Sequence, residues 1–209
     1  MPTTDSPQSR SRLPHWGWFL LATAILVVVY AALWIWIPYH REQQIVQKIN
    51  GWGGNVDTSK GGSEWLRRLV GDERMKVFDR VSVVYLHGIT INDADLAHLS
   101  GLTNLEFLSL GDTQVSDAGL VCLGGMTKLK WLSLNGTQVS DVGLVHLSGL
   151  TNLEFLTFNE TQVSDSGLPH LSKLTNLRRL DLSGTQFTDE GVDALQKALP
   201  DCKIMTTTR

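Results

Sequence analysis

Four side chains able to ligate a metal recur at one fixed interval along the chain, His98, Cys122, His146 and His170. Imidazole and thiolate are common zinc ligands, but a metal needs its donors to converge on a point. If that interval brings the chain back to an equivalent place each time, these four form a line, so a solvated face is expected and no metal site. Two N-glycosylation sequons, Asn135-Gly136-Thr137 and Asn159-Glu160-Thr161, are separated by the same interval and arise from the pattern that contains them. Gly51-Trp52-Gly53-Gly54 lacks the lysine and the strand-to-helix setting of a phosphate loop and reads as turn punctuation. HExxH, GxSxG, P-loop and paired-cysteine motifs do not occur. With no catalytic constellation, an enzyme, a cofactor or a small-molecule substrate is not expected.

The elements that carry these residues repeat. LEFLSLGDTQVSDAGL begins at Leu105, LKWLSLNGTQVSDVGL at Leu129, LEFLTFNETQVSDSGL at Leu153 and LRRLDLSGTQFTDEGV at Leu177, with a weaker copy from Val81. Five units of equal length, 81–104, 105–128, 129–152, 153–176 and 177–200, therefore follow one another without insertion. In the second unit Leu105, Leu108 and Leu110 point inward from a short strand and its approach, while Phe107 and Ser109 alternate outward. Thr113 and Val115 turn inward after the strand, the threonine hydroxyl serving loop backbone groups. Ser116-Asp117 offers a helix N-cap that recurs as Ser140-Asp141, Ser164-Asp165 and Thr188-Asp189, with Asn92-Asp93 in the first unit. Leu120 and Leu123 supply the inward face of a short helix. Pro169 enters the fourth such helix and is expected to shorten or distort it. No unit can bury its leucines alone, so the units must stack as an array with both ends covered.

A period in this range with this leucine pattern resembles the leucine-rich repeat. The T-x-V-[ST]-D-x-G-L stretch is similar to that of F-box-type substrate receptors and of bacterial membrane-anchored repeat proteins, over residues 81 to about 205. The resemblance implies an α/β leucine-rich-repeat solenoid with a concave parallel sheet and convex short helices. Nothing resembles an F-box, because Tyr39 to Arg80 is too short and too broken by glycine to hold one. The anchored bacterial kind is the better match.

In such a solenoid, outward strand positions align into columns about 4.8 Å apart. One column reads Val83, Phe107, Trp131, Phe155, Arg179, and the next begins with Tyr85 and continues Ser109, Ser133, Thr157, Asp181. A third runs His87, Gly111, Asn135, Asn159, Ser183. Neighbouring rings turned to solvent mark a contact surface, so Phe107, Trp131, Phe155, Arg179 and Tyr85 are the expected partner-binding residues. The structural alternative is that the rings stack on one another and stiffen the sheet. Glu106, Lys130, Glu154 and Arg178 alternate in sign and predict pairing between units, with little energetic weight at the surface. Residues 81–200 hold 13 acidic and 6 basic residues, against 7 acidic and 10 basic over 1–80. An acidic repeat region excludes nucleic acid as the expected partner. A protein partner is expected; a ubiquitin-ligase-type adaptor or a self-associating envelope protein are the alternatives.

Ahead of the repeats, Trp16 to Ile37 is an apolar run of 22 residues without a charge. As a helix it rises roughly 33 Å, enough to cross a hydrocarbon core of about 30 Å. Trp16 and Trp18 at one end and Trp34, Trp36 and Tyr39 at the other fit the two headgroup layers. A signal peptide is the competing reading, but Ala22-Thr23-Ala24, its small-x-small site, falls inside the run. The expected order is a tail over 1–15, a transmembrane helix over 16–37, a juxtamembrane and capping segment over 38–80, repeats over 81–200 and a cap strand with tail over 201–209. A slight excess of positive charge ahead of the span, Arg10 and Arg12 with the amino terminus, favours a single-pass membrane protein with the solenoid extracytoplasmic. Ile45, Ile49, Trp52, Val56, Trp65, Leu66, Leu69 and Phe78 are expected to cover the first repeat. Ile204 falls in register with Leu180. Cys122 and Cys202 lie more than three repeats apart, on the order of 15 Å, beyond disulfide reach.

Overall fold

A computed structural model describes residues 15–207. The tail before the span, with Arg10 and Arg12, and residues 208 and 209 lie outside the described residues. Helix α1 (His15–Gly51) takes up the apolar run and continues through Pro38, where the sequence suggests an end. Compact units divide the chain at that proline, Met1–Pro38 and Tyr39–Arg209.

In the first unit most of the described apolar side chains are exposed. Trp18, Phe19, Leu26, Val27, Tyr30 and Trp34 are all more than half exposed. A globular protein does not leave so long an apolar surface in water, so this helix is a candidate transmembrane or signal helix.

The second unit is built on one seven-stranded sheet in sequential order. It comprises β1 (Asn55–Ser59), β2 (Arg80–Tyr85), β3 (Phe107–Ser109), β4 (Trp131–Ser133), β5 (Phe155–Thr157), β6 (Arg179–Asp181) and β7 (Lys203–Met205). From β2 to β7 neighbours are parallel at one constant offset, Val84 beside Leu108, then Leu132, Leu156, Leu180 and Ile204. The strands return through short turns such as Asp117–Leu120 and Gly143–His146, and through one longer helix, Asp189–Ala198. Leu105, Leu108, Leu110, Val115, Leu120 and Leu123 are all fully buried. Their equivalents in adjacent units join them in one core that runs the length of the stack.

Pro169 disturbs little. It sits in the first turn of Leu168–Leu171, where its missing N–H has no intrahelical acceptor to lose, and this helix is as short as the proline-free Asp117–Leu120.

The amino-terminal edge differs from the sequence expectation in two ways. Strand β1 pairs antiparallel with β2, closing the sheet by reversal. Ile49 is buried, and Ile45, Val46, Trp52 and Val56 pack on the core, but Trp65 and Leu69 are 67% and 76% exposed and cover nothing. The reason is Arg67. On α2 (Glu64–Val70) its guanidinium is buried, donates to the Gly61 carbonyl at 3.0 and 2.6 Å, and pairs with Asp79 and Asp72. Residues two before and two after Arg67 lie on the opposite helix face, so seating the arginine turns Trp65 and Leu69 outward. Glu42 is also buried; its carboxylate accepts from the Val81 amide at 3.3 Å, with Arg80 Nε 3.7 Å away. Burial raises its pKa above the ordinary 4.5, against the opposing pull of that amide and of Arg80.

Candidate functional site

Period-two alternation decides the concave face. Leu108, Leu132 and Leu156 go to the core, so Phe107, Trp131 and Phe155 must face the other way, and the pairing sets them in adjacent register between Val83 and Arg179. All three rings are half-buried. Phe107 and Trp131 stack nearly parallel with centroids 4.0 Å apart, and Tyr85 leans on Phe107 at 5.0 Å. The Arg179 guanidinium lies 5.8 Å over the Phe155 ring. The column therefore includes both features weighed in the sequence: rings that stack on one another, and a partly open apolar surface. Ser109 and Ser133 beside it are buried, so the rings rise above a low polar floor.

Toward the carboxyl end the face becomes polar. Asp181 accepts from the Ser183 amide and hydroxyl at 3.1 and 2.7 Å and from Asn159 Nδ2 at 3.1 Å. The Asn159 amide in turn donates to Asn135 Oδ1 at 2.9 Å. The side-chain nitrogen of the second sequon's asparagine is thereby engaged. The sequon threonines, Thr137 and Thr161, are buried and donate back to Leu134 and Phe158, as Thr113 does to Leu110. Charge pairing between units is present: Lys130 reaches Glu106 at 2.7 Å and Arg178 reaches Glu154 at 3.6 Å. The hydrogen bond to Glu106 raises the Lys130 pKa.

Two members of the His and Cys line make other contacts. His98 stacks on Trp52 at 6.5 Å, and the Cys122 thiol lies 3.4 Å from the Leu96 carbonyl, its pKa pushed up to about 11 by burial. Both cysteines are free. Among the described residues no group of three or more ligating side chains comes together.

The sequence reading missed a ladder at the entry to the convex turns. The N-cap residues do accept bonds from their own turns, as Ser116 does from Ala118 and Thr188 from Gly191. Their hydroxyls meanwhile donate backward to the aspartate of the preceding unit, Ser116 to Asp93, Ser140 to Asp117, Ser164 to Asp141 and Thr188 to Asp165, each at 2.6 Å. The same residues' amides donate to the other carboxylate oxygen at 2.7–3.0 Å. The motif glycine makes room for it. A Cβ on Gly119, Gly143, Gly167 or Gly191 would lie 2.0–2.7 Å from an oxygen of that aspartate. The S-D-x-G string was the available signal, but only the stack shows that its aspartate serves the next unit.

The family model described as Leucine Rich repeat matches residues 101–124 and 173–195. Among solved structures, the chain is similar to the LRR ectodomain of the receptor kinase SOBIR1 from Arabidopsis thaliana, at 15% identity and a TM-score of 0.52 over 80% of this chain and 91% of that one. It is also similar to an internalin C2 from Listeria monocytogenes, at 29% identity and a TM-score of 0.45 over 52% of this chain and 44% of that one. The chain thus spans under half the length of that internalin. No curated protein matches it. With six parallel strands at a constant offset and a leucine core shared between units, the fold is a leucine-rich-repeat solenoid.

Proposed function

We propose that the chain is a membrane-anchored interaction module that captures a protein on its concave face and performs no catalysis. Trp131 is the central anchor, Phe107 and Phe155 flank it, and Tyr85 and Arg179 form the margins. The observation that carries this reading is the row of half-buried rings on the solvent side of a sheet whose other side is a complete core. A few aromatic side chains in such a setting dominate the energy of an interface, and solenoids generally present their concave surface to partners. The excess of acidic residues over 81–200 favours a protein over nucleic acid.

Anchoring rests on the uncovered apolar surface of α1 before Pro38, which is long enough to span a bilayer. We place the solenoid on the extracytoplasmic side, and a reporter fused after Arg209 that is active only in the cytoplasm would reverse that placement. The binding face is tested by co-purification from detergent-solubilised membranes. Trp131→Ala should lose the partner while retaining the wild-type circular dichroism spectrum; equal recovery by a folded Phe107→Ala, Trp131→Ala, Phe155→Ala triple variant would refute the site.

A further inference from the structure

The amino-terminal cap has one apolar face that the repeats do not use, and the pairing of its strands fixes where that face lies. Within the second unit, α1 and β2 run in the same direction. Glu42 meets the start of β2, accepting from the Val81 amide with Arg80 Nε 3.7 Å away. Ile49 lies near the strand's end, where a Cβ on Gly54 would meet Ile49 Cγ2 at 2.8 Å and the Tyr85 carbonyl at 2.9 Å. Strand β1 is antiparallel, with Asn55 opposite Tyr85 and Ser59 opposite Arg80. The chain therefore leaves the sheet at Ser59 and re-enters it at Arg80, both at the Glu42 end. Residues 60–79 are an excursion made wholly from that end.

The Glu42 end is also the one nearest in the chain to the apolar run. Glu42 follows Ile37 by five residues, about 7 Å at a helical rise, which is comparable to the depth of a lipid headgroup layer. A second link ties the excursion to this stretch. Glu73, 2.8 Å away, raises the Lys76 pKa, and the Tyr39 phenol adds a smaller pull of the same sign, so Lys76 stands near the first residue of the unit.

On the excursion Trp65 and Leu69 sit one turn apart on α2, both exposed. The helix is not free to roll them under. Arg67 is seated on the Gly61 carbonyl and on Asp79, and the Gly61 amide donates to the same carboxylate at 3.0 Å. An aromatic and an aliphatic side chain are thus held outward on a fixed mount. Charge also distinguishes this segment, since residues 60–76 hold five basic and three acidic residues whereas the repeats are acidic.

We propose that the face of α2 bearing Trp65 and Leu69 docks into the headgroup layer of the membrane that α1 spans, as a second attachment beside the span. This rests on the anchoring proposed above. An indole suits that layer, because its ring is apolar and its N–H can still find an acceptor. Arg68 and Arg74, both exposed, are available to lipid phosphates, whereas the acidic repeats are repelled by them. Two apolar side chains would hold a free protein on a bilayer only weakly. Here the span keeps the face at high effective concentration, so a weak contact suffices.

The test uses the full chain in vesicles of phosphatidylcholine and phosphatidylglycerol, an environment-sensitive fluorophore on single introduced cysteines, and doxyl-labelled lipid as quencher. A label at Leu69→Cys should be quenched about twofold or more by lipid with the doxyl group near its headgroup. A label at Val142→Cys, similarly exposed but on the repeats, should not be. Adding Trp65→Ala should remove about half or more of the Leu69 quenching at an unchanged urea midpoint, because Trp65 is exposed. The parent chain sets the labelling background of Cys122 and Cys202, whose thiols burial pushes up to about 11. Leu26→Cys reads the anchor alone, through lipid with the doxyl group deep in its chain. An inserted Leu26 label with Leu69 quenched no more than Val142 overturns the docking and leaves the anchor standing; an unquenched Leu26 label overturns both. A Leu69 label shielded without doxyl quenching, increasingly so at higher protein density, also overturns the docking, since the occupant would then be a second copy.

Discussion

Along the turns, Asp93, Asp117, Asp141 and Asp165 all take the same pair of bonds from the next unit, whereas the concave column changes from Val83 through three rings to Arg179. A ladder position answers to its neighbours on both sides, so one altered group leaves an amide and a hydroxyl without partners. A column facing solvent carries no such obligation. The difference separates what holds the stack together from what is free to meet another molecule.

The largest effect should come from the core that both features share. Leu132→Ala removes a fully buried side chain from the middle unit and should cost about 3 kcal/mol or more, read as a lower urea midpoint. If the loss is below about 1 kcal/mol, the units do not fold as one cooperative stack.

Asp141→Ala comes next. It strands the Ser164 amide and hydroxyl, both partly buried, and should cost about 2 kcal/mol by the same measurement. Gly143→Ala should approach this from the other side, because its Cβ would meet Asp117 Oδ1 at 2.4 Å and Leu120 Cδ1 at 2.9 Å. A neutral Asp141→Ala would erase the distinction between ladder and column.

Trp131→Ala should be milder for folding, at about 1 kcal/mol, since it removes one stacked ring contact from a partly open position. Its larger consequence is loss of the partner. A folding penalty equal to that of Leu132→Ala would make the column part of the core and no contact surface.

The smallest effect concerns the cap. Burial holds the Glu42 carboxyl above its ordinary range, so the folded state binds this proton more tightly than the unfolded chain does. The charge therefore costs stability at neutral pH, and that cost is relieved as pH falls through the raised value toward 4.5. Glu42→Gln should unfold at slightly higher urea than wild type at pH 7, and the gap should close below about pH 4. A variant less stable at pH 7 would mean that the bonds to Val81 and Arg80 outweigh burial.

The sequence alone determined the period, the inward leucines, the register of Ile204 with Leu180 and the membership of the ring column. Each follows from a local rule, alternation along a strand or a fixed return such as that from Leu108 to Leu132, and a strict repeat carries that rule along the array. Tertiary structure decided how the rings divide, with Trp131 stacked on Phe107 while Phe155 lies under Arg179. It also decided that Arg67 turns inward and Trp65 outward, because nothing in EWLRRLV says which face of α2 meets Gly61 and Asp79. Above all it decided what the repeating aspartate does. Within one unit Asp141 is an ordinary first-turn acid of a short turn; only when the next unit stacks does Ser164 arrive at 2.6 Å. Composition and periodicity describe a unit, whereas a bond between units exists only where two of them meet.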